Sequence, residues 1–224
     1  MTLTIHTDLI QRSEEWHAAR LGLVTASAVG KLVAPKTVRV ADNPDSRGMA
    51  LLLAAERITG WAYPTYVSDD MWRGIEDEPF ARDKYAEHFA PVEEAGFMVE
   101  DEWGFGIGYS PDGLVGNDGL IEIKSRRPKT HLETILSGAP PMENMAQLQC
   151  GLLVSGREWI DYVSYCGGMP LWVKRVAPDQ KWFTAILEAT TQLEMSIAEI
   201  VDRYTKSVAG LPMTERNTAQ EMVI

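Results

Sequence analysis

Residues 110–124 read SPDGLVGNDGLIEIK, and this stretch restricts the fold more than any other. LIEIK alternates like a strand, yet it sets Glu122 and Lys124 on one face and Ile121 and Ile123 on the other. Strands that enter a core rarely carry a carboxylate and an ammonium together. Asp112 joins the pair only if the intervening hairpin has the right parity. A loop made of Asn117, Asp118 and Gly119 sets Val115 opposite Ile121, Leu114 opposite Glu122 and Asp112 opposite Lys124. Gly119 then takes the left-handed position that ends such loops. A two-residue loop turns Asp112 away, so the expectation is an odd-length loop or a bulge of the same parity.

Two carboxylates brought this close stay ionised only with a cation between them. Magnesium suits such a site, because it takes oxygen ligands, usually one or two carboxylates plus water and substrate phosphate. A bound metal polarises a phosphoryl oxygen and lowers the pKa of its water. Lys124 beside it orients or helps deprotonate the water, or stabilises developing charge. The chemistry expected is metal-assisted hydrolysis of a phosphodiester. An isolated E-x-K is ordinarily a surface salt bridge; the preceding Pro111-Asp112 and the apolar strand set this one apart.

Length and composition fit that reading. The chain has 224 residues, 45% of them hydrophobic and 24% charged, as for one soluble globular domain. We expect a single domain over residues 1–208 and a mobile tail over 209–224. No apolar run is long enough to span a bilayer, and the first residues lack a basic region followed by an apolar stretch, so a cytoplasmic protein with no membrane partner is expected. Cys150 and Cys166 lie in no zinc-ligand spacing, and the four histidines are scattered. The net charge of −11 argues against general nucleic-acid binding, although a local basic groove can sit on an acidic molecule.

The pattern along the chain predicts helices, a meander of strands, further helix, two strands and a last helix, hence an α/β or α+β fold with a mixed central sheet. RSEEWHAARLG reads as a short helix capped by Ser13, and VTASAVGKLV as a second helix start with Thr25 or Ser27 near its cap. Residues 34–46 read as a loop, in which Lys36 and Arg39 are possible DNA contacts. GMALLLAAERITG is a helix closed by Gly60. Pro79 predicts a helix starting near Glu78–Pro79 rather than a kinked one. FMVE, WGFGIGYS, GLV and LIEIKS read as strands, residues 126–141 as a basic loop and short helix, and PMENMAQLQCGLLVSG as a helix ended by Gly156. EWIDYVSYC and LWVKRVA form a strand pair around GGMP, and a long helix covers about residues 179–207. Trp72 and Trp103 are expected to be buried rather than to act as strand-separating wedges.

Five elements in order carry a resemblance. Arg12, Trp16, Arg20, Gly22 and Thr25-Ala26-Ser27 form the first, and Gly74, Glu78, Ala81 and Arg82 the second. SPDGL, then Glu122 with Lys124, then MAQLQ complete the set. Together they resemble the lambda-exonuclease or YqaJ-type viral recombinase family of the PD-(D/E)XK nuclease superfamily, over roughly residues 10–155. The resemblance implies a restriction-endonuclease-like core. It implies Asp112, Glu122 and the backbone carbonyl of Ile123 as metal ligands, and Lys124 as the catalytic lysine. Glu78 is implied to assist a second magnesium (or manganese) ion or its water, and Gln147 to be an active-site glutamine. Arg20, Thr25 and Ser27, with Ser110, resemble a pocket for the 5′-phosphate of a DNA end.

Elementary chemistry supports several of these roles. The Arg20 fork suits a terminal phosphate, and hydroxyls near a helix start suit the same anion. Glu76 and Glu78 lie about 200° apart on a helix, so only one faces the site; the motif selects Glu78, whose ordinary alternative is a salt bridge with Arg82. Gln147 is preferred over Gln149 in the same way. Arg126, Arg127 and Lys129 follow the strand directly, as a solvated basic loop or as contacts to the DNA backbone.

The activity implied is 5′→3′ digestion of one strand of duplex DNA from its ends. It releases mononucleotides and leaves 3′ overhangs for recombination by single-strand annealing. A ring-shaped homotrimer, a single-strand annealing protein as partner, and a phage or prophage origin in a bacterial host are implied with it. An endonuclease of the same superfamily and a catalytically inactive DNA-end-binding module are the alternatives. A 5′-phosphate pocket has no purpose in the first, and intact Asp112, Glu122 and Lys124 argue against the second.

Overall fold

A computed structural model describes residues 3–62 and 66–216. The predicted helix near the N-terminus is α1 (Glu14–Arg20), and Ser13 caps it by accepting from the Trp16 amide. The predicted second helix does not form. Val24–Thr25 is a strand, β2, followed by a single 3₁₀ turn over Val29–Lys31. Val24, Ala26 and Val29 are buried, and Ala26 donates to the Gly108 carbonyl at 2.8 Å. Tertiary pairing has overridden the local helix signal.

Residues 34–46 are not an open loop either. They contain a short strand pair, β3 (Val33–Ala34) with β4 (Arg39–Val40), and the start of α2 (Pro44–Thr59). Asn43 and Ser46 cap that helix reciprocally, with Pro44 in its first turn. Gly60 closes it in the left-handed region at φ 64°, as expected.

α3 (Asp69–His88) corrects the Pro79 prediction: the helix starts ten residues earlier, capped by Ser68, and runs through Pro79. An interior proline costs about 3 kcal/mol. Tertiary anchors on both sides of it hold the helix together. Before Pro79, Asp77 accepts from the Ser125 hydroxyl at 2.6 Å and Arg73 donates to the same oxygen at 3.0 Å. After it, Tyr85 donates at 2.7 Å to buried Asp161, which the Arg175 fork also holds.

The strands form two mixed four-stranded sheets and the small β3–β4 pair. One sheet has β1 (Thr4–His6), β5 (Phe97–Glu100), β6 (Ile107–Tyr109) and β2, with β2 parallel to β6 and the other pairs antiparallel. The other has β10 (Trp172–Val176), β9 (Trp159–Tyr165), β8 (Gly119–Ser125) and β7 (Gly113–Val115). In it β8 and β9 are parallel, and α4 (Pro128–Ser137) and α5 (Met142–Ser155) cross between them. α6 (Gln180–Ser207) packs with α2 and α5. This is the expected mixed α/β fold with helices flanking mixed sheets. Residues 211–216 carry no regular structure, and residues 217–224 of the predicted tail lie outside the described residues.

β8 is buried on both faces. Leu120 joins the larger core with Tyr109, Leu148, Ile160 and Ile186. Ile121 and Ile123 join a smaller core with Ala81, Tyr85 and Val163 beneath α3. The loop before β8 has the expected odd length but a different register. Val115 pairs with Gly119 and Gly113 with Ile121, so the loop is residues 116–118. Gly116, not Gly119, takes the positive φ, at 53°. Gly119 is needed for another reason: a Cβ there would stand 2.2 Å from the Trp159 ring. Extended one step, this register sets Asp112 opposite Glu122 instead of Lys124. Parity is unchanged, and all three side chains share a face.

Candidate active site

The carboxylate end of the site is built on β8. Glu122 is 1% exposed, and several donors offset the several kcal/mol that burying an isolated carboxylate costs. Lys124 Nζ donates to its Oε1 at 2.7 Å, Gln147 Nε2 donates to the same oxygen, and the buried Tyr109 hydroxyl donates to Oε2 at 3.3 Å. Lys124 also donates to Gln147 Oε1 at 3.0 Å, so α5 delivers Gln147 onto both members of the pair. Gln149 faces elsewhere. It is buried, donates to the Ala177 carbonyl and accepts from the Asp179 amide, and so fastens the approach to α6. It is thus no solvated helix residue.

Asp112 Oδ2 accepts from the Ile123 amide at 2.6 Å, fixing the carboxylate against the middle of β8. Burial first, and then the neighbouring charges of Glu122 and Glu78, push its pKa well above the ordinary carboxylate range; Lys124 and the Ile123 amide only partly offset them. Burial alone would lower the Lys124 ammonium, but Glu122 and Asp112 outweigh it and hold its pKa above the usual lysine value. Burial and the same two carboxylates raise the Tyr109 hydroxyl. Such crowding of carboxylates is what a bound cation relieves. Asp112 and Glu122 could hold one through oxygen. Among the described residues no group of three or more His, Cys, Asp or Glu side chains is placed to hold a metal ion.

Glu78 reaches the Asp112 side from α3, as the motif selected. Its oxygens are held by Arg12 at 2.7 Å and by Arg82. The i,i+4 pairing with Arg82 therefore exists alongside proximity to the site rather than instead of it.

Arg20 gathers a cluster of hydroxyls beside the segment that leads into Asp112. Arg20 NH1 donates to Ser110 Oγ at 3.0 Å and NH2 to Thr25 Oγ1 at 3.4 Å, and Thr25 and Ser27 hydroxyls lie 3.2 Å apart. Trp16 Nε1 donates to Ser110 Oγ at 2.9 Å. The Arg20 guanidinium stacks on Trp16 at 4.0 Å from the ring centroid. Burial lowers its pKa to about 10, so it is a cation at neutral pH. Among the described residues Arg20 meets the Ser110 and Thr25 hydroxyls and the Trp16 and Phe97 rings. Thr25 contributes from a strand, not from the helix start that its sequence predicts.

The basic residues after β8 divide. Arg126 is largely committed inward, to the Tyr162 hydroxyl at 3.0 Å and to Asn144. Arg127 pairs with Asp70 at 2.9 Å but stays exposed, and Lys129 is exposed in the first turn of α4. Trp103 is partly buried beside Phe105, whereas Trp72 is 55% exposed on α3, against the expectation of burial. Tyr109 was not foreseen as a site residue. Its position three before Asp112 in GYSPD was the available signal. Arg12 and Arg82 sat inside the motif elements without a role.

The fold thus presents Asp112, Glu122 and Lys124 on one face, with the Arg20, Thr25, Ser27 and Ser110 cluster joined to it at Ser110, two residues before Asp112. The chain belongs to the YqaJ-like viral recombinase family, whose domain matches residues 15–158. Among functionally curated proteins, none matches. The fold is similar to an alkaline exonuclease, LHK-Exo, from Laribacter hongkongensis, at 33% identity and TM-score 0.79, over 89% of this chain and 100% of that one. LHK-Exo in complex with dAMP gives 34% identity and TM-score 0.78, with the same coverage. A phage related exonuclease from Haemophilus somnus 129PT shares the fold at TM-score 0.66 and 11% identity, over 81% of this chain and 96% of that one. No helix among the described residues is long and apolar enough to cross a membrane.

Proposed function

We propose that the chain is a magnesium-dependent 5′→3′ exonuclease that digests one strand of duplex DNA from its ends and releases mononucleotides. One observation carries this reading. Ser110, the meeting point of Trp16 and Arg20, lies two residues before Asp112, so the anion pocket and the carboxylates are built on one short segment. A terminal phosphate gripped by Arg20, Thr25, Ser27 and Ser110 sets the next phosphodiester near Asp112 and Glu122. Similarity to LHK-Exo, solved with dAMP, supports a mononucleotide product.

Asp112, Glu122 and the Ile123 carbonyl would hold Mg²⁺, with Mn²⁺ as a substitute and Glu78 assisting a second ion through water. When bound, the metal polarises the phosphoryl oxygen and lowers the pKa of a water. The chain's own residues do the remaining work. Lys124, hydrogen-bonded to Glu122 and Gln147, donates to the attacking water or to the charge that develops on phosphorus-bound oxygen. Gln147 holds Lys124 and Glu122 in mutual register. Arg20 converts end binding into alignment of the scissile bond. Arg127 and Lys129 are exposed cations suited to the DNA backbone, and Arg126 supports them from its inward position.

Residues 1–208 act as one nuclease domain in this reading. A homotrimeric ring with a basic channel would reconcile duplex binding with the net charge of −11. The 3′ overhang would pass to a single-strand annealing protein during phage-type recombination.

The test compares duplexes with 5′-phosphate and 5′-hydroxyl ends. Hydrogen bonds to a charged group are worth roughly 1.5–3 kcal/mol, so a 5′-phosphate is expected to speed digestion by at least about tenfold. Arg20→Ala removes that preference. Wild-type indifference to the phosphate, or a preference kept in Arg20→Ala, contradicts the assignment.

A further inference from the structure

We propose that Arg82 is a positioning residue that fixes the Glu78 carboxylate at a set distance from Asp112. This rests on the function proposed above and assigns a role to the last member of the Gly74–Arg82 motif. Arg82 Nε donates to the backbone carbonyl of Asp112 at 2.8 Å, and NH2 donates to Glu78 Oε1. Its third nitrogen, NH1, lies 3.1 Å from Glu94. One rigid fork on α3 therefore holds both Glu78, one turn back on the same helix, and the backbone of Asp112 in the bend that leads into β7. The side chains of Arg82 and Glu78 are only 14% and 12% exposed, so water screens the contact little.

Arg12 closes the clamp from the other side, donating to Glu78 Oε2 at 2.7 Å. Its backbone is held at φ 73°, an uncommon region for a residue with a side chain. Gln11 pins that segment by donating to the Pro111 carbonyl at 2.9 Å and to the Ala95 carbonyl at 3.3 Å. The strained segment is thus tied to the chain leading into Asp112, where strain commonly serves a site.

Glu78 needs such a clamp for two reasons. Its charge repels Asp112 and drives it away unless a cation intervenes. A cavity of about 400 Å³, lined by Arg12, Ile75, Glu78, Pro79, Arg82 and Asp112 among others, gives an unclamped Glu78 room to turn. Lysine cannot replace the fork, because one ammonium does not reach carbonyl and carboxylate in the same planar geometry.

The test uses Arg82→Ala, Arg82→Lys, Glu78→Ala and the Arg82→Ala/Glu78→Ala double variant. Single-turnover digestion of 5′-phosphorylated duplex is measured at saturating magnesium, Mn²⁺ binding by electron paramagnetic resonance without DNA, and end binding in calcium as a check on folding. Loss of an outer partner of a metal site typically costs 10- to 100-fold, and that is the slowing expected for Arg82→Ala. Because Arg82 acts through Glu78, the double variant is expected within about threefold of Glu78→Ala. Mn²⁺ binding weakens in Arg82→Ala as it does in Glu78→Ala, and Arg82→Lys restores neither property. A wild-type rate in Arg82→Ala, losses that multiply in the double variant, or full activity in Arg82→Lys overturns the proposal. A wild-type chain that neither hydrolyses DNA nor binds Mn²⁺ overturns the proposed function instead.

Discussion

Lys124→Ala is expected to slow DNA hydrolysis by about 10³-fold while leaving end binding in calcium close to wild type. A positioned donor to developing charge is worth roughly 10²–10³ in rate, and Lys124 also organises its neighbours. It donates to Glu122 at 2.7 Å and to Gln147 at 3.0 Å, so its loss removes the counter-charge of the buried carboxylate as well as a donor to the reaction. Binding is expected to survive because the proposed phosphate-binding residues form a separate constellation: Arg20, Thr25, Ser27 and Ser110 hydrogen-bond among themselves and with Trp16, not with Lys124. Single-turnover rates in magnesium and anisotropy titrations in calcium separate the two effects. An unchanged rate refutes the role assigned to Lys124. Lost binding at full thermal stability places Lys124 in the end-binding surface instead.

Asp112→Asn is expected to abolish hydrolysis and to stabilise the metal-free protein. Asparagine keeps an oxygen that accepts from the Ile123 amide but removes the charge that Glu122 and Glu78 repel. Asp112 has a folded-state pKa raised above its ordinary value, so between the two values the folded chain binds more protons than the unfolded chain. The stability of metal-free wild type therefore falls as pH rises from about 4, the ordinary carboxylate range, toward the raised value. Asp112→Asn flattens that decline. Each kcal/mol of repulsion relieved raises Tm by roughly 2–4 °C for a chain of this size. Magnesium raises the Tm of wild type, because it binds the folded state, and has little effect on the variant. Thermal scans across pH, with and without magnesium, check this. A variant no more stable than wild type without metal, yet equally stabilised by it, contradicts Asp112 as a ligand.

The sequence was most legible where chemistry forced an exception to a pattern. A glutamate and a lysine on one face of an apolar strand marked the candidate site, and parity placed Asp112 on the same face, as the structure has it. Register was less legible, because Asn117-Asp118-Gly119 and Gly116-Asn117-Asp118 both contain turn-forming residues and both preserve parity. Only the Trp159 ring, which excludes a Cβ at Gly119, shows why that glycine lies in the strand. Pro79 misled because local propensity carries no information about Ser125, Asp161 and Arg175, which hold α3 on either side of it. Thr25 misled in the same way: VTAS has helix-start chemistry, but parallel pairing with β6 decides its conformation. The Arg12–Glu78–Arg82 clamp was hidden for another reason. Arg12 lies 66 residues from Glu78 in sequence, and no spacing rule links them.

In the function proposed, hydrolysis proceeds one nucleotide at a time from a 5′-phosphorylated end. The decisive substrate is a linear duplex labelled in the 5′-terminal nucleotide of one phosphorylated strand, incubated in magnesium beside a covalently closed circle. Label is expected to appear first as mononucleotide, the complementary strand to persist as a 3′ overhang, and the circle to stay intact. Label released first in oligonucleotides, or a circle cut at a comparable rate, would contradict it.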